Sequence, residues 1–331
     1  MRARAPKYVR KEFMSETRKQ RSSRDGFGDA LLDLGRTNPR VVVLTADLAE
    51  STRVEAFAKQ FPKRFFDVGV AEQNLLGVAA GLALSGKVPF ATSYVAFSPG
   101  RNWDQLRVSV CYSQTNVKVV STHAGLSVGP DGATHQGMED LAMTRVLPNL
   151  TVVVPADYAE AYQATLALAK YEGPVYMRLS REPGSAVTSG DQLFHVGKAR
   201  VLREGADVTL VACGLMVEVA LEAADVLAAR GIAAEVLNVP TIKPLDSVAI
   251  RASAWKTGAV VTIEEHQVTA GLGGAVCECL VQDTPVPMEF VGMPDRFGES
   301  GTAAELLKKY GLDALGVLRA VQHVLSRKTA R

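Results

Sequence analysis

Several ingredients are scarce in this 331-residue chain, and each shortage excludes something. Cysteine occurs at four positions only, Cys111, Cys213, Cys277 and Cys279, too few for a disulfide scaffold. A reducing, cytoplasmic setting is therefore expected. Cys277 and Cys279 stand one residue apart on an expected helix and point in different directions, so cysteine spacing offers no metal site. No apolar run approaches the roughly 18 residues of a membrane-spanning helix, and no membrane partner is expected. The G-x-G-x-x-G signature is missing between an early strand and helix, and G-x-x-x-x-G-K-[ST] is missing throughout, which removes the two usual phosphate-loop motifs.

Net charge is also small, at +2, but unevenly spread. Residues 1–24 hold nine Lys or Arg and two Glu, a balance of +7, leaving −5 on the other 307 residues. Such an arm suits a solubilising role or contact with a partner chain. Glu12, Glu16 and the weak apolar face speak against an organelle-targeting peptide. The acidic body gives no reason to expect a nucleic-acid partner.

What is present is a strand–helix alternation. Apolar residues at helical spacing run from Phe27 to Leu34. Val41-Val42-Val43-Leu44 is a short continuous apolar run, the pattern of a strand covered on both faces. Further strands are expected near 64–68, 88–91, 117–120, 151–154 and 175–179. Helices are expected at 53–60, 72–84, 104–111 and 158–169. A second unit has strands near 207–212, 234–237 and 259–263, helices near 217–229 and 273–282, and a helix-rich end from 302 to about 325. The fold class is α/β, with two doubly wound, parallel-sheet domains. The expected division is a basic arm at 1–24, an α/β domain at 25–181, a linker at 182–196 and a second α/β domain at 197–331.

Four groups of residues carry chemistry. Glu72 stands at a strand-to-helix junction among small and apolar residues. It is either a helix-capping carboxylate or one in a partly dry pocket, where desolvation would raise its pKa and let it share a proton with a ring nitrogen. Residues 121–137 form a loop with four glycines, His123, Asp131 and His135. Its two imidazoles suit proton movement at a carbonyl or hydroxyl, whereas zinc would need a third ligand that the spacing lacks. Arg178 and Arg181 flank the end of a strand, where a planar guanidinium can hold a phosphate or pair with Glu182 or another carboxylate. Tyr94, Phe97 and Trp103 are core aromatics or a stacking surface for a flat ring. Gly271-Leu272-Gly273-Gly274 before a helix is a tight turn or an anion-binding N-terminus.

Taken together, these motifs resemble the transketolase family. The resemblance rests on FFDVGVAEQN at 65–74, PFATSYVAFSPGR at 89–101, STHAGLSVGPDGATHQGMEDLAMTRVLPNLTVVVPAD at 121–157 and GPVYMRLSRE at 173–182. VVTIEEHQVTAGLGG at 260–274 and DRFGESG at 295–301 extend it across nearly all of the chain after residue 24. It implies a thiamine-diphosphate pyrimidine-binding domain followed by a transketolase C-terminal domain, and two-carbon ketol transfer from a ketose or its phosphate to an aldose or its phosphate.

The resemblance also implies roles. Glu72 matches the glutamate that hydrogen-bonds N1′ of the aminopyrimidine. Phe97 matches the aromatic that stacks on that ring, and Tyr94 lines the same pocket. His123 and His135 match substrate-facing histidines, His135 aiding proton movement. Asp131 matches a reader of a sugar hydroxyl, Arg181 a sugar-phosphate anchor, and Arg24 a second one. Gly100 stands where many relatives carry a third aromatic, and Pro130 where an acidic residue is common. The family's GDG…Asn motif for diphosphate and Mg2+ is not found in this sequence. The implied arrangement is a separate N-terminal subunit carrying GDG…Asn and holding most of the thiamine diphosphate and Mg2+. Self-association would then give a heterotetramer. The alternatives are the β subunit of a 2-oxoacid dehydrogenase E1 component, a deoxyxylulose-phosphate-synthase-like enzyme, and a regulatory subunit without catalysis.

Overall fold

The computed structural model describes residues 20–329, so the arm's basic positions from Arg2 to Lys19, with Glu12 and Glu16, lie outside the described residues. The first domain runs β1 (Arg21–Ser22), α1 (Ser23–Thr37), β2 (Val41–Thr45), α2 (Glu55–Gln60), β3 (Phe65–Asp67), α3 (Glu72–Leu84) and β4 (Val88–Tyr94). It continues with α4 (Trp103–Gln105), β5 (Lys118–Thr122), α5 (Asp140–Arg145), β6 (Thr151–Val153), α6 (Tyr158–Leu168), β7 (Val175–Arg178) and β8 (Pro183–Gly184). The second domain has β9 (Arg200–Arg203), β10 (Val208–Ala212), α7 (Met216–Ala228), β11 (Ala234–Asn238), β12 (Thr241–Lys243) and α8 (Ser247–Thr257). Its last elements are β13 (Val260–Gln267), α9 (Leu272–Asp283), β14 (Met288–Met293), α10 (Ala303–Tyr310) and α11 (Ala314–Thr329).

Two α/β domains result, as the alternation predicts, but their sheets are mixed rather than wholly parallel. The first sheet has the order β12-β6-β7-β5-β4-β2-β3, with β12 antiparallel to β6 and the other neighbours parallel. Its edge strand β12 thus comes from the second half of the sequence. The second sheet, β14-β13-β10-β11-β9, is parallel except for β9. Both antiparallel strands sit at an edge, where a short strand can be added without a crossover helix.

Every residue of β2 is buried, because helices cover both faces of the sheet. One face packs Phe27 and Leu31 of α1 and Ala161 and Ala164 of α6 against Val41, Val43 and Phe90. The opposite face joins Leu75 and Leu76 of α3 to Val42 and Leu44, and the same cluster continues to Val211, Leu237, Leu272 and Val276 of the second domain. One apolar core therefore spans the junction of the two units. The helix α1 begins before the apolar spacing does: Ser22 accepts from the Asp25 N–H, and the Asp25 carboxylate accepts from the Ser22 N–H at 3.0 Å, a capping box. The 182–196 stretch includes β8, which pairs with β1, and Asp157 accepts hydrogen bonds from the backbone of Val187 and Thr188.

Candidate active site

Parallel pairing brings the carboxyl ends of β7, β5, β4 and β2 side by side, and that edge is where open α/β sheets bind ligands. Tyr94 ends β4. His123 follows β5 directly, and Arg181 lies three residues beyond β7. Glu72 opens α3, its carboxylate in the first turn where the helix dipole favours negative charge. It is 4% exposed. No side chain caps α3.

These residues form a connected string. Arg101 Nη1 lies 3.2 Å and 3.3 Å from the two Glu72 carboxylate oxygens. The Arg101 guanidinium carbon lies 4.0 Å from the Phe97 ring centroid. Phe97 stacks on Tyr94 at 5.6 Å, and His135 meets Phe97 edge-on at 5.5 Å. Tyr94 stacks on His123 at 3.8 Å. Trp103, the third aromatic of the group, packs against the apolar core instead.

The tautomer of His123 follows from its partners. Arg24 Nη1 lies 3.2 Å from His123 Nε2, and a guanidinium can only donate, so Nε2 accepts. The proton is then on Nδ1, which donates to Thr122 Oγ1 at 2.8 Å. Burial first, then the positive charges of Arg24, Arg181 and Arg53, push the imidazole down to about 3. His123 is thus a neutral group in a cationic surrounding. Arg24 also donates to the Ser51 carbonyl at 2.8 Å, tying α1 to the loop after β2.

Asp131 and Arg181 make a second grouping. Arg181 Nη1 lies 3.2 Å and 3.3 Å from the Asp131 carboxylate oxygens, and its Nε is 4.0 Å from Glu182. The pair joins the string through the Arg181 charge felt at His123. Arg178, three residues earlier, is committed elsewhere. It is buried, bridges to Asp140 at 3.0 Å and donates to the Glu265 carbonyl at 2.7 Å. Tyr176 donates to the same Asp140 at 2.9 Å. Of the two arginines, Arg181 is the one whose side chain solvent reaches.

The second domain supports the His123–His135 loop from behind. Glu265 accepts from the Ser127 N–H, and Gln136 Nε2 donates to the Glu299 carbonyl at 2.9 Å. Gly125 is held at φ +81°, and a Cβ there would collide with the Glu265 side chain. The Gly271–Gly274 turn is likewise satisfied internally: Glu264 accepts from the N–H groups of Leu272 and Gly273 at 2.7 and 2.8 Å. The anion at that helix N-terminus is the chain's own carboxylate. Burial pushes both Glu264 and Glu265 above the usual carboxylate range.

Sequence reasoning missed Arg101, Arg53, Asp140 and Glu265. Arg101 lies inside the PFATSYVAFSPGR segment, but nothing local announces a partner 29 residues away. Among the described residues no three His, Cys, Asp or Glu side chains gather to hold a metal ion, and no helix is long and apolar enough to cross a membrane.

Comparison with known proteins adds independent findings. Residues 19–184 match the transketolase pyrimidine-binding domain, and residues 197–317 match the transketolase C-terminal domain. The chain is 47% identical over 308 residues to the 6-deoxy-6-sulfo-D-fructose transketolase subunit of a Clostridium species, covering 93% of this chain and 96% of that protein. It is 38% identical over 297 residues to a subunit of the apulose-4-phosphate transketolase of Phocaeicola vulgatus, covering 89% and 95% of the two chains. A solved structure described as a split gene transketolase, inactive beta4 tetramer, superposes with a TM-score of 0.87 at 51% identity, covering 93% of this chain and 99% of that one.

Proposed function

The chain belongs to the transketolase family as a split-gene subunit, and on that premise we propose that it transfers a two-carbon ketol unit from a ketose or its phosphate to an aldose or its phosphate, in complex with a second subunit. The observation that carries this reading is the buried Glu72 carboxylate set beside the Phe97–Tyr94 stack at the edge of the sheet.

That donor set fits an aminopyrimidine: one buried carboxylate to share a proton with a ring nitrogen, and one flat aromatic to fix the ring's plane. Thiamine diphosphate, when bound, supplies carbanion chemistry at its thiazolium carbon. Glu72 holds a proton at ring N1′, Phe97 orients the ring, and Tyr94 lines the pocket. A separate chain with a GDG…Asn motif is assigned the diphosphate and Mg2+, because this sequence has no such motif. Two copies of each chain would make a heterotetramer, and the tetramer described for the similar structure supports self-association.

Substrate contacts follow from charge and position. His135 moves a proton at a substrate hydroxyl, and His123, neutral with Nδ1 protonated, positions an oxygen at its Nε2 side. Asp131 accepts from a sugar hydroxyl. Arg181 and Arg24 hold the terminal anion, for which guanidinium geometry is suited. The transferase reading is preferred to an E1 β subunit because the His123–His135 loop and VAEQN segment match it, and because E1 chemistry would also require a lipoyl carrier. Four free cysteines support a cytoplasmic setting. The test is turnover of ketose donors and aldose acceptors by this chain with its partner and without it. Activity only in the complex is expected, and full activity of this chain alone would contradict the proposal.

A further inference from the structure

Arg101 stands in the pocket, yet the roles given to Glu72 and Phe97 leave it nothing to do. A guanidinium is planar and carries N–H donors along its edge. Arg101 lies over Phe97 and donates to both Glu72 oxygens. An aminopyrimidine needs the same two things, an aromatic to lie on and the Glu72 carboxylate to meet. Phe97 is also stacked by Tyr94, with planes 17° apart, and met at its edge by His135.

Two features make the Arg101 contact displaceable. Charge-assisted bonds are usually about 2.7–2.9 Å, so 3.2 and 3.3 Å mark a loose pair. The Arg101 side chain is also 49% exposed, with the buried carboxylate lying beneath it. The guanidinium already meets water and loses little on leaving, and the entering ring takes over the buried carboxylate, so Glu72 is not left unpaired. Beside Arg101 there is room, because a Cβ built on Gly100 meets nothing within 4 Å. The open side of Gly100 leaves space for a neighbouring side chain to move.

We propose that Arg101 is a placeholder for the cofactor's aminopyrimidine. It covers Glu72 and Phe97 in the chain as it stands, and it swings outward past Gly100 when the ring enters. The inference rests on the assignment of Glu72 and Phe97 to that ring. A pocket closed by its own side chain binds more weakly by the fraction of time it is open, so removing the side chain tightens binding.

The experiment uses the full-length chain with 4-amino-2-methylpyrimidine as probe. Trp103, two residues past Arg101, reports binding by fluorescence, and a Trp255→Phe background removes the other of the two tryptophans. Arg101→Met is expected to bind the probe about five- to tenfold more tightly than the parent. Arg101→Lys should fall between, since it keeps the charge and loses the plane. Adding Glu72→Gln to Arg101→Met should abolish the gain. Equal or weaker binding by Arg101→Met, no binding by either chain, or a gain that survives Glu72→Gln would each overturn the placeholder. The assignment of Glu72 itself is read separately, by C2 proton exchange in the Glu72→Gln complex, so the two failures are distinguishable.

Discussion

Tyr94 and His123 lie face to face, their ring centroids 3.8 Å apart and their planes 26° from parallel. The stack is built on a backbone that resists it, because His123 has φ +57°. A left-handed conformation costs a non-glycine residue about 1–2 kcal/mol. Tyr94, Thr122 and Arg24 together hold the ring where it is. Strain of this kind collects where a side chain must be aimed, and here it holds an imidazole at the carboxyl edge of the sheet.

The first prediction concerns pH. His123, at about 3 in the fold against 6.5 ordinarily, binds its proton less readily than in the unfolded chain. Its contribution to stability is therefore complete above pH 6.5 and is lost as pH falls from there toward 3. The imidazole should show no titration by NMR between about pH 5 and 8, the range in which an ordinary histidine titrates. A midpoint near 6.5 would contradict the neutral assignment.

Two neighbouring arginines should behave differently. Arg181→Ala is expected to raise KM for phosphorylated substrates by roughly ten- to a hundredfold, the worth of a charge-assisted hydrogen bond, while leaving the melting temperature nearly unchanged. Arg178→Met strands the buried Asp140 carboxylate and should cost about 3–5 kcal/mol of stability. Steady-state kinetics and chemical denaturation on both variants check this, and the reverse pattern would remove the division of labour.

Gly125→Ala should destabilise the site loop. It would place a Cβ against Glu265 and force alanine into φ +81°, a combined cost of about 2 kcal/mol or more. Denaturant midpoints measure it. A variant as stable as the parent would mean that Glu265 yields freely and does not brace the loop.

How far the sequence goes is clearest at particular elements. Val41–Leu44 reads as a strand because burial on both faces demands an unbroken apolar run, and the structure places it in the interior of the first sheet. The strands β9 and β12 left no such trace, being short, antiparallel and at sheet edges, with pairing set by distant chain. The start of α1 was legible in principle as Ser22 followed by Asp25, a capping box that apolar spacing alone does not reveal. Glu72, Phe97, Tyr94, His123 and Arg24 can be singled out from the residues and motifs, but their order in space depends on the parallel register of β4 and β5. The split between Arg178 and Arg181 was not legible, since Asp140 reaches Arg178 from a helix 38 residues away. Arg101 was hidden for the same reason: its partner stands at the start of another helix.

The most direct test of the account is hydrogen–deuterium exchange at C2 of thiamine diphosphate bound to the reconstituted complex carrying Glu72→Gln. Loss of exchange, with the far-UV spectrum and assembly of the parent retained, is the predicted result. Exchange at the parent rate would show that the Glu72 carboxylate does not act on the ring, and would contradict the account at its starting point.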